Sequence, residues 1–115
     1  MISIWHNPRC SKSREALAYL KQNNINPIIR FYMENPPKIY ELKKVISLLN
    51  IKTFGLIRTK EKEFKALSQH IVNNEELLIE ALANCPKLIE RPIIFKGQKA
   101  VIGQAISKID DLLTD

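Results

Sequence analysis

The sequence predicts an α/β fold in which a mixed sheet carries helices on its faces. Two observations lead to this prediction: a strand–helix–strand pattern opens the chain, and a strand–strand–helix pattern ends it. Between them, residues 38–85 show mainly helical periodicity. A chain of 115 residues suits one compact domain, so we predict a single domain over residues 1–115 with a helical insertion at about residues 38–85.

The opening pattern begins with the β-branched and aromatic stretch ISIW at residues 2–5, which predicts a short buried strand. Asn7 and Pro8 end that strand. From about Ser11 the apolar residues follow helical spacing as far as KQNN, and NPIIRFY then predicts a second strand. A crossover of this kind favours right-handed, parallel pairing of the two strands.

The middle of the chain predicts a succession of helices. The turn ENPPK precedes a helix with Pro37 in its first turn. NIKTFGLIRTK is predicted to be a connection, KEFKALSQHI a short helix, and NNEELLIEALANC a helix with an Asn cap that stops at Pro86. The predicted apolar side of the first of these helices consists of Tyr40, Leu42, Val45, Ile46 and Leu49.

The last part of the chain predicts a hairpin and a final helix. RPIIF and KAVI are predicted to be antiparallel strands joined by a turn at KGQ. After Gly103, the stretch QAISKIDDLL places four apolar residues on one helical face: Ile106, Ile109, Leu112 and Leu113.

Charge and composition argue against several classes of function. The chain has 18 Lys and Arg against 12 Asp and Glu, but acids alternate with the basic residues in ELKKV and RTKEKEFKAL. This alternation is typical of a solvated helix surface, so no nucleic-acid partner is expected. No apolar run approaches the ~18 residues of a membrane helix, and no export signal is recognisable, so a cytoplasmic protein without membrane association is expected.

The cysteine at position 10 is the strongest candidate for chemistry. Cys10 and Cys85 are too few for a disulfide framework and form no metal-ligand cluster, so no metal is expected. With a helix starting near Ser11, the free backbone N–H groups and Arg14 favour the Cys10 thiolate and can also bind an anion. The alternative is a small residue that merely packs at a helix start.

Three motifs give the chain a family resemblance. HNPRCSKSR matches a His-x3-Cys-x3-Arg pattern, and it is followed by LIRTKE around Arg58 and LIERPIIF around Arg91. Together they resemble the glutaredoxin-coupled arsenate reductases, the ArsC branch of the thioredoxin superfamily, over essentially the whole chain. The resemblance implies a thioredoxin-like fold with a mixed four-stranded sheet, and no bound metal or organic cofactor.

The resemblance also implies roles for single residues. Cys10 would be the nucleophile that attacks arsenic, with His6 as a supporting catalytic residue near the thiolate, although His6 at a strand end is equally compatible with packing. Pro92 resembles the cis-proline that thioredoxin-like folds place opposite the cysteine. The residues implied to bind the oxyanion are Arg14, Arg58 and Arg91.

The implied reaction reduces arsenate to arsenite through a cysteine–arsenate adduct. Glutathione, the consumed reductant, attacks next, and glutaredoxin resolves the mixed disulfide. The partners expected are therefore arsenate or a similar oxyanion and glutaredoxin, and a monomer is predicted.

Two positions depart from the family pattern. Gln104 stands where family members often carry a further arginine, and a glutamine can hydrogen-bond an oxyanion without adding charge. Ser13 stands where a Cys-x-x-Cys pair would have its second thiol, so an external thiol is implied. Cys85 is interpreted as structural or incidental.

Two other functions remain open on the same fold. Gln104 motivates a reductase of another oxyanion or a glutathione-dependent thiol reductase, in which Cys10 acts in the same way. A regulator like the Spx proteins, which bind RNA polymerase, is the third hypothesis, and Ser13 and His6 argue against it.

Overall fold

A computed structural model describes residues 1–114 of the chain. The chain divides into two compact units, of which the first joins Met1–Asn35 to the stretch that begins at Arg91. The second unit is Pro36–Glu90. The prediction of one domain over residues 1–115 stays a prediction.

The first unit contains a mixed sheet, as the sequence predicts. Within residues 1–114 the sheet has four strands in the order β2-β1-β3-β4. β1 pairs in parallel with β2 and antiparallel with β3, which in turn pairs antiparallel with β4. The bounds of the strands are β1 Ile2–His6, β2 Ile28–Phe31, β3 Ile93–Lys96 and β4 Lys99–Ile102.

The register brings four chain segments to one edge of this sheet. His6, the last residue of β1, pairs with Phe31, the last residue of β2. Ile93, the first residue of β3, pairs with Trp5 of β1 and with Ile102, the last residue of β4. The ends of β1, β2 and β4 and the beginning of β3 therefore meet at one edge, which we call the His6 edge.

Two helices cover one face of the sheet. α1 (Ser11–Gln22) and α6 (Ile106–Leu113) contact each other, and their buried side chains join those of β1 and β3 in one cluster. Removing these apolar side chains from water is the main term that holds the unit together. The cluster consists of Ile4, Ala16, Leu20, Ile94, Ile109 and Leu112. Ile106, predicted on the same face of α6, is instead 42% exposed because it occupies the first turn of that helix.

The hairpin between β3 and β4 confirms the predicted turn. Gly97 has φ of +60°, in the left-handed region that glycine enters without a steric penalty. This turn lies at the opposite end of the sheet from the His6 edge.

The second unit is helical, as predicted. α5 packs against α2, α4 and two short 3-10 turns, and its buried residues include Leu78 and Leu82. No helix within residues 1–114 combines the length and the apolar character needed to span a bilayer. The helices of this unit are α2 Ile39–Leu49, α3 Lys62–Lys65, α4 Gln69–Val72 and α5 Glu75–Asn84, and the 3-10 turns are Thr53–Leu56 and Pro86–Leu88.

Three details of the second unit differ from the sequence prediction. KEFKALSQHI forms two helices rather than one, because the Ser68 side chain accepts the Ile71 N–H and starts α4 anew. Tyr40 is 69% exposed and does not belong to the buried side of α2. The connection NIKTFGLIRTK contains an antiparallel bridge between Ile57 and Ile89, a pairing too short for a strand pattern to indicate.

Candidate active site

Cys10 lies at the amino end of α1, as the sequence predicts. Its N–H donates to the Asn7 carbonyl at 3.0 Å, which closes a turn directly after β1. Cys10 has extended dihedral angles and is the N-cap of α1, so its carbonyl accepts the Arg14 N–H at 3.0 Å. The thiol therefore stands beside the unpaired N–H groups of the first helical turn.

The surroundings of Cys10 favour the thiolate. Burial acts to raise the pKa of the thiol, but the backbone N–H of Ser13, the Arg91 side chain and the backbone N–H of Lys12 outweigh burial and lower the pKa. The N–H groups and the guanidinium all donate toward sulfur, which stabilises its charged form. A thiol held in this way is a better nucleophile at neutral pH than a free cysteine.

Arg91 reaches Cys10 from the beginning of β3. The Arg91–Pro92 peptide bond is cis, as the resemblance implies for Pro92. Tyr32 is fully buried next to the end of β2, and its hydroxyl also interacts with the Arg91 side chain. Burial raises the pKa of this hydroxyl, and the Arg91 guanidinium opposes that rise. Cys10, Arg91 and Tyr32 thus form one group at the His6 edge, in which the cation faces a thiol and a phenol.

His6 and Ser13 join the end of β1 to α1. The Ser13 Oγ lies 2.7 Å from Nδ1 of His6 and accepts the Asn7 N–H at 3.0 Å. Both side chains are buried. Burial, followed by the positive charges of Lys21 and Arg14, lowers the pKa of His6. A neutral imidazole is therefore favoured, and it fixes the turn that carries Cys10.

Arg14 binds the same turn. Its Nη1 donates to the Pro8 carbonyl at 2.9 Å, so the guanidinium lies beside the backbone that precedes Cys10. The sequence prediction that Arg14 favours the thiolate rested on helical spacing alone. In the structure the Arg91 side chain also hydrogen-bonds the thiol, and no spacing rule joins residue 91 to residue 10. The role of Arg14 toward the thiolate and the oxyanion stays a prediction.

Gln104 lies at the His6 edge, where β4 ends. Its Nε2 donates to the Arg91 carbonyl at 3.1 Å, and the neighbouring Gly103 N–H donates to the Pro92 carbonyl at 2.8 Å. These two bonds fix the segment that carries Arg91. The side chain of Gln104 therefore orients the backbone of an arginine that contacts the thiol.

Arg58 belongs to the second unit. Its Nη2 lies 3.4 Å from Oε1 of Glu61, and the other oxygen of Glu61 lies 3.4 Å from Nζ of Lys87. The Arg58 N–H donates to the Leu88 carbonyl at 2.8 Å. These contacts fix the arginine within its own unit, and its role in oxyanion binding stays a prediction. Cys85 also lies in this unit, as the C-cap of α5.

A cleft next to the Cys10 turn escaped the sequence analysis. It has a volume of about 260 Å³ and lies where β1 and β2 end. No short motif indicated it, because its walls come from two segments that meet only through parallel pairing. Within residues 1–114, no group of three or more His, Cys, Asp or Glu side chains is arranged to hold a metal ion. The cleft is lined by His6, Asn7, Pro8, Arg9, Phe31, Met33 and Glu34.

Comparison with known proteins finds a family model and relatives that match nearly the whole chain. Residues 5–112 match the profile of the ArsC family. The chain is 37% identical over 114 residues to an arsenate reductase of Neisseria meningitidis serogroup B, covering 97% of each chain. It is 38% identical over 114 residues to the uncharacterized protein YfgD of Escherichia coli K12, covering 97% of this chain and 96% of YfgD.

Solved structures share the fold. The arsenate reductase from Vibrio cholerae superposes with a TM-score of 0.90 at 35% sequence identity, over 96% of each chain. The YFFB (PA3664) protein superposes with a TM-score of 0.85 over 98% of this chain and 99% of its own, and at 15% identity this likeness concerns the fold alone. The predicted thioredoxin-like α/β fold with its helical insertion is confirmed.

Proposed function

The chain belongs to the ArsC family, and on that basis we propose that it is a thiol-dependent reductase that converts arsenate to arsenite. One observation carries the proposal: the Cys10 thiol lies at the amino end of α1 with the Arg91 side chain donating to it. The same N–H groups and guanidinium that favour a thiolate also favour a tetrahedral oxyanion beside it. Nucleophile and anion-binding groups are therefore in one place.

The first step joins sulfur to arsenic. The Cys10 thiolate attacks As(V) of HAsO₄²⁻, an As–O bond breaks, and two protons from solvent convert the departing oxygen to water. The product is a Cys10–S–AsO₃H⁻ adduct in which arsenic is still As(V). Arg91 stabilises the negative oxygens, and Arg14 and Arg58 are proposed to assist it.

The second step moves two electrons to arsenic. A glutathione thiolate attacks the sulfur of Cys10, a disulfide bond forms, and the S–As bond breaks with its electron pair remaining on arsenic as As(III). Glutaredoxin then attacks the glutathione sulfur of the mixed disulfide and releases the Cys10 thiolate. Ser13 cannot act as an internal resolving thiol, which is why external thiols are needed. The proposed chemistry requires no bound cofactor. It does require a reducing compartment, which we propose is the cytoplasm.

A second candidate is a reductase of another oxyanion on the same machinery. It is favoured by Gln104, whose amide donates to the Arg91 carbonyl and brings no charge to the His6 edge. Because Gln104 adds no cation, the site suits an anion with a smaller negative charge than arsenate, which needs fewer cations for binding. Turnover with arsenate distinguishes the two candidates.

The test is arsenite formation by purified protein with glutathione and glutaredoxin. We expect turnover by the wild type and by the matched control Cys85→Ser, and none by Cys10→Ser. A folded wild-type protein that forms no arsenite would reject the proposal for arsenate. Equal activity of Cys10→Ser and the wild type would reject the assigned nucleophile.

A further inference from the structure

We propose that Tyr32 is a positioning residue of the thiol site: its neutral hydroxyl orients the Arg91 guanidinium toward Cys10 without cancelling the positive charge. This inference rests on the proposed function, in which Arg91 stabilises negative charge at Cys10. Tyr32 directly follows β2 and is fully buried. It lies outside the three motifs that carry the family resemblance.

The register of the sheet brings Tyr32 level with Arg91. The end of β1 pairs in parallel with the end of β2, and β1 pairs antiparallel with the beginning of β3. Continued as far as Asn7, the parallel register sets Tyr32 on one side of Asn7, and the antiparallel register sets Arg91 on the other side. The side chains of Asn7 and Arg91 both act on the Tyr32 hydroxyl. The three residues therefore lie side by side at the His6 edge.

The ring of Tyr32 is held in place by aromatic packing. It stacks on the Trp5 ring, with the centroids 6.4 Å apart and the planes inclined by 29°. Trp5 also packs against the Phe95 ring at 5.4 Å and lies under the Arg30 guanidinium at 5.1 Å. Phenylalanine would provide the same ring for this packing. The packing therefore explains the ring of Tyr32 but not its oxygen.

The hydroxyl of Tyr32 is enclosed. It makes no hydrogen bond of normal geometry to any other residue in the described part of the chain, residues 1–114. A buried hydroxyl without such a bond lowers stability, so its presence needs a reason other than stability. The Arg91 guanidinium is close enough to act on it. Because a guanidinium can only donate, the phenol oxygen is the acceptor in this pair.

A phenol can orient a guanidinium without neutralising it. Burial raises the pKa of the Tyr32 hydroxyl, and the Arg91 and Asn7 side chains offset only part of that rise, so the hydroxyl is uncharged at neutral pH. A carboxylate in the same place would form an ion pair with Arg91 and repel a thiolate or an oxyanion. The Arg91 side chain also hydrogen-bonds the Cys10 thiol. The positive charge that the phenol leaves on Arg91 therefore acts on the sulfur.

The test measures the pH dependence of Cys10 alkylation by iodoacetamide in a Cys85→Ser background. We expect Tyr32→Phe to raise the apparent pKa of Cys10 by about 0.5, which is about a three-fold change in its ionisation constant. Because Tyr32 acts through Arg91, the same change made in Arg91→Gln protein should not raise the pKa further. Tyr40→Phe, an exposed change on α2, is the matched control and should react like the wild type.

Two further measurements distinguish positioning from a structural role. Tyr32→Phe should unfold at the same urea concentration as the wild type, because the lost hydroxyl makes no hydrogen bond of normal geometry. In an active preparation, Tyr32→Phe should raise the KM for arsenate about three-fold and leave the KM for glutathione unchanged.

The outcomes separate this inference from the proposed function. An unchanged pKa of Cys10 in Tyr32→Phe, or an equal rise with and without Arg91, would overturn the inference even if the wild type forms arsenite. A large loss of stability in Tyr32→Phe would also overturn it, since the hydroxyl would then be structural. A rise that depends on Arg91, in a variant as stable as the wild type, would support it even if the protein fails to reduce arsenate.

Discussion

The Oγ of Ser13 lies 2.7 Å from Nδ1 of His6, and this contact joins the end of β1 to the first turn of α1. Ser13 follows Cys10 by three residues, at the position of the second cysteine in a Cys-x-x-Cys motif. In this chain the position serves the structure of the turn: its oxygen also accepts the Asn7 N–H. The hydroxyl therefore holds in place the segment that presents Cys10.

Replacing Ser13 by Ala tests that structural role. The change leaves the buried Asn7 N–H and the His6 ring without their partner, so the free energy of unfolding should fall by about 1–3 kcal/mol in urea titrations. Ser47→Ala, an exposed change on α2, is the matched control and should stay within about 0.5 kcal/mol of the wild type. Equal stability of the two variants would contradict the role given to Ser13.

The pKa of His6 predicts a pH dependence of stability. Burial lowers this pKa in the folded protein. As pH falls below the ordinary value of about 6.5, the unfolded chain therefore binds more protons at His6 than the folded protein does. The free energy of unfolding should therefore fall as pH drops from 7.5 to 5.5, by at most about 1.4 kcal/mol per pH unit from this group. His6→Asn lacks the titrating ring, so the expected loss over that interval is smaller. An equal loss in both proteins, measured by urea unfolding at the two pH values, would count against a buried neutral imidazole.

Gln104→Arg should strengthen oxyanion binding. The new guanidinium would join Arg91 at the His6 edge, so we expect the KM for arsenate to fall several-fold in steady-state assays. Gln98→Arg adds the same charge in the hairpin turn at the opposite end of the sheet and is the matched control. A similar change in both variants would show that net charge alone, rather than position, attracts the anion.

Arg58→Gln tests the oxyanion role implied by the family resemblance. If Arg58 binds the substrate, the KM for arsenate should rise about ten-fold, the effect of losing one charge-assisted hydrogen bond. Lys60→Gln removes an exposed positive charge two residues away and should leave the KM unchanged. Unchanged kinetics in Arg58→Gln would restrict this arginine to its ion pair with Glu61.

Much of the fold follows from local patterns in the sequence. The periodicity after Ser11 and after Gly103 predicts α1 and α6, and the glycine in KGQ predicts the hairpin turn, because each depends on residues close together in the chain. The division of KEFKALSQHI into two helices was missed because the Ser68 cap competes with a continuous apolar pattern.

The candidate site was predictable only in part. The placement of Cys10 at a helix start is a local property, and the sequence indicates it. The contact of Arg91 with that thiol and the cleft containing Glu34 depend on strand pairing over long sequence separations, which no spacing rule encodes. Only the family resemblance pointed to Arg91 before the structure did.

The central claim, an ionised Cys10 beside an anion-binding guanidinium, is tested most directly by the pH dependence of Cys10 alkylation with iodoacetamide. A Cys85→Ser background leaves Cys10 as the single thiol. We expect an apparent pKa below the ordinary value of about 8.5, an upward shift of that pKa in Arg91→Gln, and slower alkylation in the presence of arsenate or sulfate. An apparent pKa at or above that of free cysteine, with no protection by either anion, would contradict the account.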